Sequence, residues 1–254
     1  MDINVVTICV NYSDFLKRTL PTTMPHMNST TIITAPFDTE TIKVARDFGC
    51  KLFVTDAFYK DGDAFNKGRA LENFFDDKIF SPSDWVLMLD ADIALPPNAR
   101  HAIESQVVNT NYLYGASRLV CPNVQGWENV GTVGGGWNVS GLKLIKEREI
   151  AGFFQLFWNR AMQRPWFSTD WGHAGGYDSV FEQRWGKNKQ WIDLNVVHLG
   201  EFRKDWFGRV SESWDGESIH NGPSVSDIKK VDKKHREIRS TGVKAIDAKW
   251  GKLE

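Results

Sequence analysis

An Asp-Ala-Asp triplet, Asp90 to Asp92, closes the uninterrupted apolar run WVLML. Five apolar residues are too few and too uniform for an amphipathic helix. They read as a strand buried on both faces, as in the middle of a parallel sheet. Carboxylates at the carboxyl end of such a strand face the crevice where open α/β sheets bind ligands. Two hard oxygen donors there suit Mg²⁺ or Mn²⁺ held jointly with a substrate's phosphates, although the same triplet also occurs as a plain solvated strand end. Two further signals lie downstream. Gly175-Gly176-Tyr177-Asp178 is a glycine loop that delivers an acid at a helix start, where it serves as an N-cap or as a proton acceptor. His198 stands near the end of WIDLNVVHL, where a strand-end histidine is either a polar cap or a ligand. Many of the 11 tryptophans lie between 127 and 214, among glycines. Trp137 and Trp171 are candidate substrate contacts there, with Gly175, Gly176 and Tyr177 beside them. Core volume and a sugar- or base-stacking cleft both produce such a cluster.

The elements that must position these residues alternate through the first half. Residues 3–10 (INVVTICV) form a first buried strand, rich in β-branched side chains. A short helix over 14–20 follows, ended by Pro21. Residues 30–34 are a second strand. Asp38 and Thr39 can cap a helix that runs to Phe48 and stops at Gly49. Residues 52–55 are a third strand, 65–75 a helix led by Asn66-Lys67-Gly68-Arg69, and 85–89 the fourth strand. Strand and helix in alternation imply a parallel, right-handed βαβ arrangement, an α/β fold with helices on the sheet. Beyond the triplet the expectations are a helix over 98–107, a strand over 112–117, a helical stretch over 142–162 in two pieces, a short helix over 177–185 and a late strand over 191–199.

The bulk numbers restrict the class. With 254 residues, 41% hydrophobic and 25% charged, the chain can bury an ample core in one large domain with an appendage. The net charge of −1 does not advertise a polyanion partner for the whole molecule. Residues 228–254 are an exception, with nine lysines and arginines against four acids. Such a run is either a solvated face or an electrostatic grip on a nucleic acid or acidic glycan. No stretch approaches the roughly 20 apolar residues that cross a bilayer, and no secretory leader is visible, so a cytoplasmic location is expected. Cys9, Cys50 and Cys121 are widely spaced and odd in number, which fits reduced core thiols rather than a disulfide framework.

The order and spacing of FNKGRALENFF, LMLDADIALPP, GGYDSVFEQRW and VVHLG resemble the GT-A glycosyltransferases. They resemble especially the inverting enzymes of the family-2 type and the β-1,4-galactosyltransferase-like group. The resemblance spans residues 4–200. It implies a Rossmann-like, mostly parallel central sheet flanked by helices, with a nucleotide-binding half (1–97) and an acceptor-side half (98–222), leaving 223–254 as a basic extension. It implies a metal-dependent transfer from a nucleotide sugar, a UDP-sugar in the first instance, with Mn²⁺ or Mg²⁺. Asp90 and Asp92 match the DxD motif, Asp92 as the direct ligand and Asp90 at the metal or the ribose. His198 matches a late histidine that completes the metal site. Asp178 matches the proposed general base of a Gly-Gly-Glu-Asp-like motif. Tyr177 replaces the acid usual before it, which weakens any acceptor role for that position. Asp38 matches an acid that contacts the nucleoside, and Lys67, Gly68 and Arg69 lie where the base and diphosphate approach. The acceptor hydroxyl is left open between a glycan or lipid-linked saccharide and a hydroxymethylated base, as in phage DNA modification, which would place the enzyme in the host cytoplasm. Two other classes fit the sequence less well. A nucleotidyltransferase needs a glycine-rich basic loop after the first strand, which residues 11–17 lack. A non-catalytic nucleotide- or carbohydrate-binding protein would not need Asp90, Asp92 and Asp178 together.

Overall fold

The computed structural model describes residues 1–216 except 64, 77–79, 82, 131, 134–135, 146–148, 151, 162–166, 168, 170–173, 175, 202–208, 210–212 and 215. The basic segment 223–254 therefore lies outside the described residues. The first half folds as alternating strands and helices: β1 (Ile3–Ile8), α1 (Ser13–Thr23), β2 (Ser29–Thr34), α2 (Thr39–Asp47), β3 (Lys51–Val54), α3 (Lys67–Asp76) and β4 (Trp85–Leu89). The second half adds β5 (Ile93–Ala94), α4 (Ala99–Gln106), β6 (Leu113–Cys121), α5 (Val124–Glu128), β7 (Thr132–Val133), β8 (Gly136–Trp137), β9 (Lys143–Ile145), β10 (Phe154–Trp158), α6 (Tyr177–Gln183) and β11 (Lys189–Leu199). One sheet runs in the order β3-β2-β1-β4-β10-β6-β11-β5, with β9 on β6, and β7 and β8 form a separate hairpin.

The four strands of the first half are all parallel, as their alternation with helices requires. β4 is buried on both faces. Val86 and Met88 point into one core cluster, and Trp85, Leu87 and Leu89 into the other. This is why the strand reads as a continuous apolar run rather than an alternating one. Helix boundaries follow the capping signals. Asp38 accepts from the Thr41 amide at the start of α2 (3.0 Å), and Gly49 ends it with φ +69°, where a side chain would be strained. Asn66 caps α3, accepting from the Arg69 amide (2.9 Å).

Two expectations are corrected. Pro21 does not end α1 but sits exposed inside it. The helix continues to Thr23, its end closed by the Met24 amide on the Leu20 carbonyl, and the Thr22 and Thr23 hydroxyls both donate to the Thr19 carbonyl. The described residues of 142–162 hold β9 and β10 in place of the expected α-helices, with a single 3-10 turn at Asn159–Ala161. β10 is inserted antiparallel between β4 and β6, so its aromatic run FQLFW packs against two neighbours and is buried on both sides. A short apolar run cannot by its periodicity distinguish such a strand from a buried helix segment. β10, β5 and β9 also make the second half of the sheet mixed rather than parallel. Among the described residues no helix is long and apolar enough to cross a membrane. Cys9, Cys50 and Cys121 are free thiols, and burial pushes Cys50 and Cys121 up to about 11.

Candidate active site

The Asp90-Ala91-Asp92 triplet lies in a tight turn between β4 and β5, closed by the Ile93 amide donating to the Asp90 carbonyl (3.1 Å). The turn is tied down from both sides. The Asp90 amide donates to the Phe153 carbonyl just before β10 (3.1 Å), and the Thr19 hydroxyl of α1 donates to the Ala91 carbonyl (2.8 Å). The turn also swings β5 onto the end of β11, where His198 pairs with Ile93 and the Leu199 amide donates to the Asp92 carbonyl (2.8 Å). That pairing sets the His198 imidazole against the Asp92 carboxylate, Nε2 to Oδ2 3.5 Å, with side chains only 12% and 14% exposed.

Asp90 is held differently. Lys67, the first residue of α3, makes a short ion pair with its carboxylate. The same ammonium lies 5.0 Å from the Tyr177 ring centroid. Burial opposes the Lys67 charge, but the Asp90 carboxylate and the Tyr177 phenol more than offset it, and the ammonium titrates above the usual lysine range. Burial also raises the Tyr177 phenol, against the pull of Lys67. Lys67 is therefore a permanent cation at neutral pH.

Asp178, in the first turn of α6, reaches the same sheet edge through Gly152. The Gly152 amide donates to Asp178 Oδ2 (3.1 Å), while Oδ1 accepts from the Ser179 amide (3.0 Å). A Cβ on Gly152 would stand 2.7 Å from the Asp178 carboxylate, so only glycine admits this approach. Gly152 precedes Phe153, the residue bonded to Asp90. The carboxyl ends of β4 and β11 and the start of β10 thus gather three carboxylates, one imidazole and one ammonium. Gly176, with φ +96°, turns the chain into α6, and Tyr177 is buried against Phe167 (6.4 Å between centroids).

The other expected residues take distinct places. Both Asp38 oxygens accept backbone amides, Thr41 on one and Asn11 on the other (2.6 Å), so its carboxylate is turned into the protein. Gly68 is buried at the start of α3. The Arg69 guanidinium binds Asp63 (3.0 Å) and the Lys60 carbonyl (2.7 Å), bracing the loop after β3. Trp137 is partly buried edge-to-face on Trp127 (5.7 Å) beside Leu119, Val197 and Leu199. Trp171 and Gly175 lie outside the described residues. The sequence reading missed Thr19, Gly152, and the Asp14–Arg209 pair behind Tyr12. Arg209 binds Asp14 through both guanidinium nitrogens (3.0 and 2.8 Å) and stacks on Phe15 (4.5 Å). A lone glycine before an aromatic run was the available signal for Gly152; Arg209, 195 residues from its partner, had none.

Among the described residues no three His, Cys, Asp or Glu side chains converge as a self-sufficient metal site. The donor set nonetheless fits a hard divalent ion of the Mg²⁺ or Mn²⁺ type, which is usually held by one or two carboxylates together with substrate phosphates. Asp92 and His198 would supply the protein donors, and the excess of carboxylates over ammonium at this edge favours a cation.

No known protein family's sequence pattern matches the chain, and no curated protein sequence matches it. Its fold is shared with solved structures. Mannosyl-3-phosphoglycerate synthase from Rubrobacter xylanophilus aligns with a TM-score of 0.52 and 15% identity, over 100% of this chain and 77% of the other. Glucosyl-3-phosphoglycerate synthase from Mycobacterium tuberculosis, in complex with Mn²⁺, UDP-glucose and phosphoglyceric acid, aligns with a TM-score of 0.50 and 14% identity, over 79% and 72%. At these identities the likeness is one of architecture, an α/β Rossmann-like GT-A fold.

Proposed function

We propose that the chain is a metal-dependent, inverting glycosyltransferase that moves a sugar from a nucleotide sugar, in the first instance a UDP-sugar, to an acceptor hydroxyl. The observation that carries this reading is the meeting of Asp92–His198, Lys67–Asp90 and Asp178 at one sheet edge, although 131 residues of chain separate Lys67 from His198. A donor of this kind combines a diphosphate with a sugar, and the solved structure of similar fold from M. tuberculosis holds UDP-glucose and Mn²⁺.

In this reading Asp92 and His198 hold the ion and Asp90 is kept in place by Lys67, whose cation also faces the diphosphate. When bound there, Mn²⁺ or Mg²⁺ supplies charge neutralisation for the leaving diphosphate without proton transfer. Asp178 accepts the proton of the acceptor hydroxyl as its oxygen attacks the anomeric carbon, and the bond to the diphosphate breaks on the opposite side. Asp38 acts on the nucleoside through the turn it braces. Trp137 and Trp171, with Gly175, Gly176 and Tyr177, form the substrate side. The acceptor we favour is the hydroxyl of a hydroxymethylated base in DNA, over a glycan or lipid-linked saccharide, because residues 228–254 hold nine cations against four acids.

The test is a screen of nucleotide sugars with Mn²⁺ that reads nucleoside diphosphate release. The expected result is release from at least one donor, abolished by chelation and reduced at least a hundredfold in Asp92→Ala. Undiminished turnover by that variant removes the reading.

A further inference from the structure

The geometry points to Phe37 as the stacking platform for the donor's nucleobase, with Asp38 bracing the platform rather than touching the base. This inference rests on the nucleotide-sugar reading above and adds how the base is recognised. Phe37 is 52% exposed, the most exposed aromatic side chain among the described residues. It is also rigidly presented. Residues 35–38 form a β-turn closed by the Asp38 amide donating to the Ala35 carbonyl (3.1 Å), and Pro36 locks φ ahead of Phe37. The Asp38 carboxylate then clamps the turn to α2 through Thr41 and to the end of β1 through Asn11. Tyr59, from the loop after β3, supports the ring at 5.5 Å and 49°. An apolar ring held this firmly in water loses little conformational entropy when a flat ligand covers it.

Its position selects the ligand. Parallel strands β3-β2-β1-β4 place the turn after β2 at the carboxyl edge, two strand spacings or roughly 10 Å from β4. Asp90 follows β4 and is paired with Lys67 of α3, the diphosphate side. A nucleoside laid along that edge brings its base over β2. Between them, just after β1, Asn11 holds φ +62°, a left-handed state that asparagine enters more readily than other side chains, and its backbone amide ties this turn to Asp38. Asp38 is 5% exposed with both oxygens on backbone amides, so no carboxylate is offered to the base edge. Stacking without an edge contact discriminates poorly among bases.

The experiment compares Mn²⁺-dependent binding of UDP, CDP and inorganic pyrophosphate to the wild type, Phe37→Ala and Phe37→Trp by calorimetry. UDP and CDP are expected to bind the wild type within about tenfold of each other. Phe37→Ala is expected to weaken both roughly tenfold or more, with pyrophosphate affinity and melting temperature unchanged, and Phe37→Trp to retain both. Equal UDP affinity in Phe37→Ala and wild type overturns the stacking role and leaves the transferase reading intact. A wild type that binds neither UDP nor pyrophosphate overturns both.

Discussion

At the scale of single residues, the site depends on one carboxylate being brought close without crowding. Asp178 accepts from the Ser179 amide in the first turn of its own helix with one oxygen and from the Gly152 amide with the other. Asp178→Asn keeps the size of the side chain but cannot take a proton. We expect it to bind donor and to lose transfer by 10²–10⁴-fold, the usual range for a removed general base; full transfer activity would exclude Asp178 from that role. Gly152→Ala is the complementary change. Its methyl group would meet the Asp178 carboxylate at 2.7 Å, so one of the two must move. The expected result is a loss of about 1–3 kcal/mol in stability by urea unfolding together with reduced transfer, while donor affinity stays near wild type. Asp178 itself was legible as an acid at a helix start. That its partner would be the backbone of Gly152 was not, because a glycine has no side chain to advertise the contact.

At the scale of elements, α1 is bound to Arg209, beyond β11, by a buried ion pair. Asp14 has no solvent exposure, and Arg209 grips it with two nitrogens while lying over Tyr12 and Phe15. The Trp214 amide donates to the same carboxylate (2.7 Å), and the Arg18 guanidinium covers the Trp214 ring (5.2 Å). Removing one member of a buried pair costs more than replacing both, because it leaves an uncompensated charge in a poor dielectric. Arg209→Ala is therefore expected to destabilise by about 3–5 kcal/mol in urea, and Asp14→Leu combined with Arg209→Met by much less. A double-variant loss equal to the sum of the two single losses would show that the pair contributes no coupling. The local sequence around Asp14 reads as ordinary helix-start chemistry, which is why only its burial reveals the pair. β10 makes the same point for strands, since its apolar run acquires strand geometry from the two neighbours that flank it.

At the scale of the whole molecule, charge is distributed unevenly. The full chain carries 31 basic and 32 acidic side chains, yet residues 228–254 hold nine of the former and four of the latter, so the body is net acidic. Three carboxylates of that body face the sheet edge described above. An acidic site would repel a polyanionic acceptor unless another segment held it, and a separate basic stretch resolves that conflict. If the acceptor is DNA, duplex containing hydroxymethylated bases should shift on a gel at low ionic strength and release steeply as salt rises, and truncation at residue 222 should abolish the shift. Absence of salt-sensitive binding by the full chain would turn the acceptor assignment toward a glycan or lipid-linked saccharide.

Local physics was enough to determine the alternation of β1 through β4 with three helices, the cap at Asp38, the stop at Gly49 and the Asp90–Asp92 triplet at a buried strand's end. Each of these follows from side-chain periodicity, a capping oxygen or a backbone dihedral within a few residues. Only the tertiary structure decided that His198 meets Asp92, that Asp178 reaches the same edge through Gly152, and that β10 enters the sheet antiparallel beside β4. Those contacts depend on which distant strands pair. An apolar pattern reports that a segment is buried without reporting against which neighbour, and the neighbour sets the register that brings Asp92 and His198 within 3.5 Å.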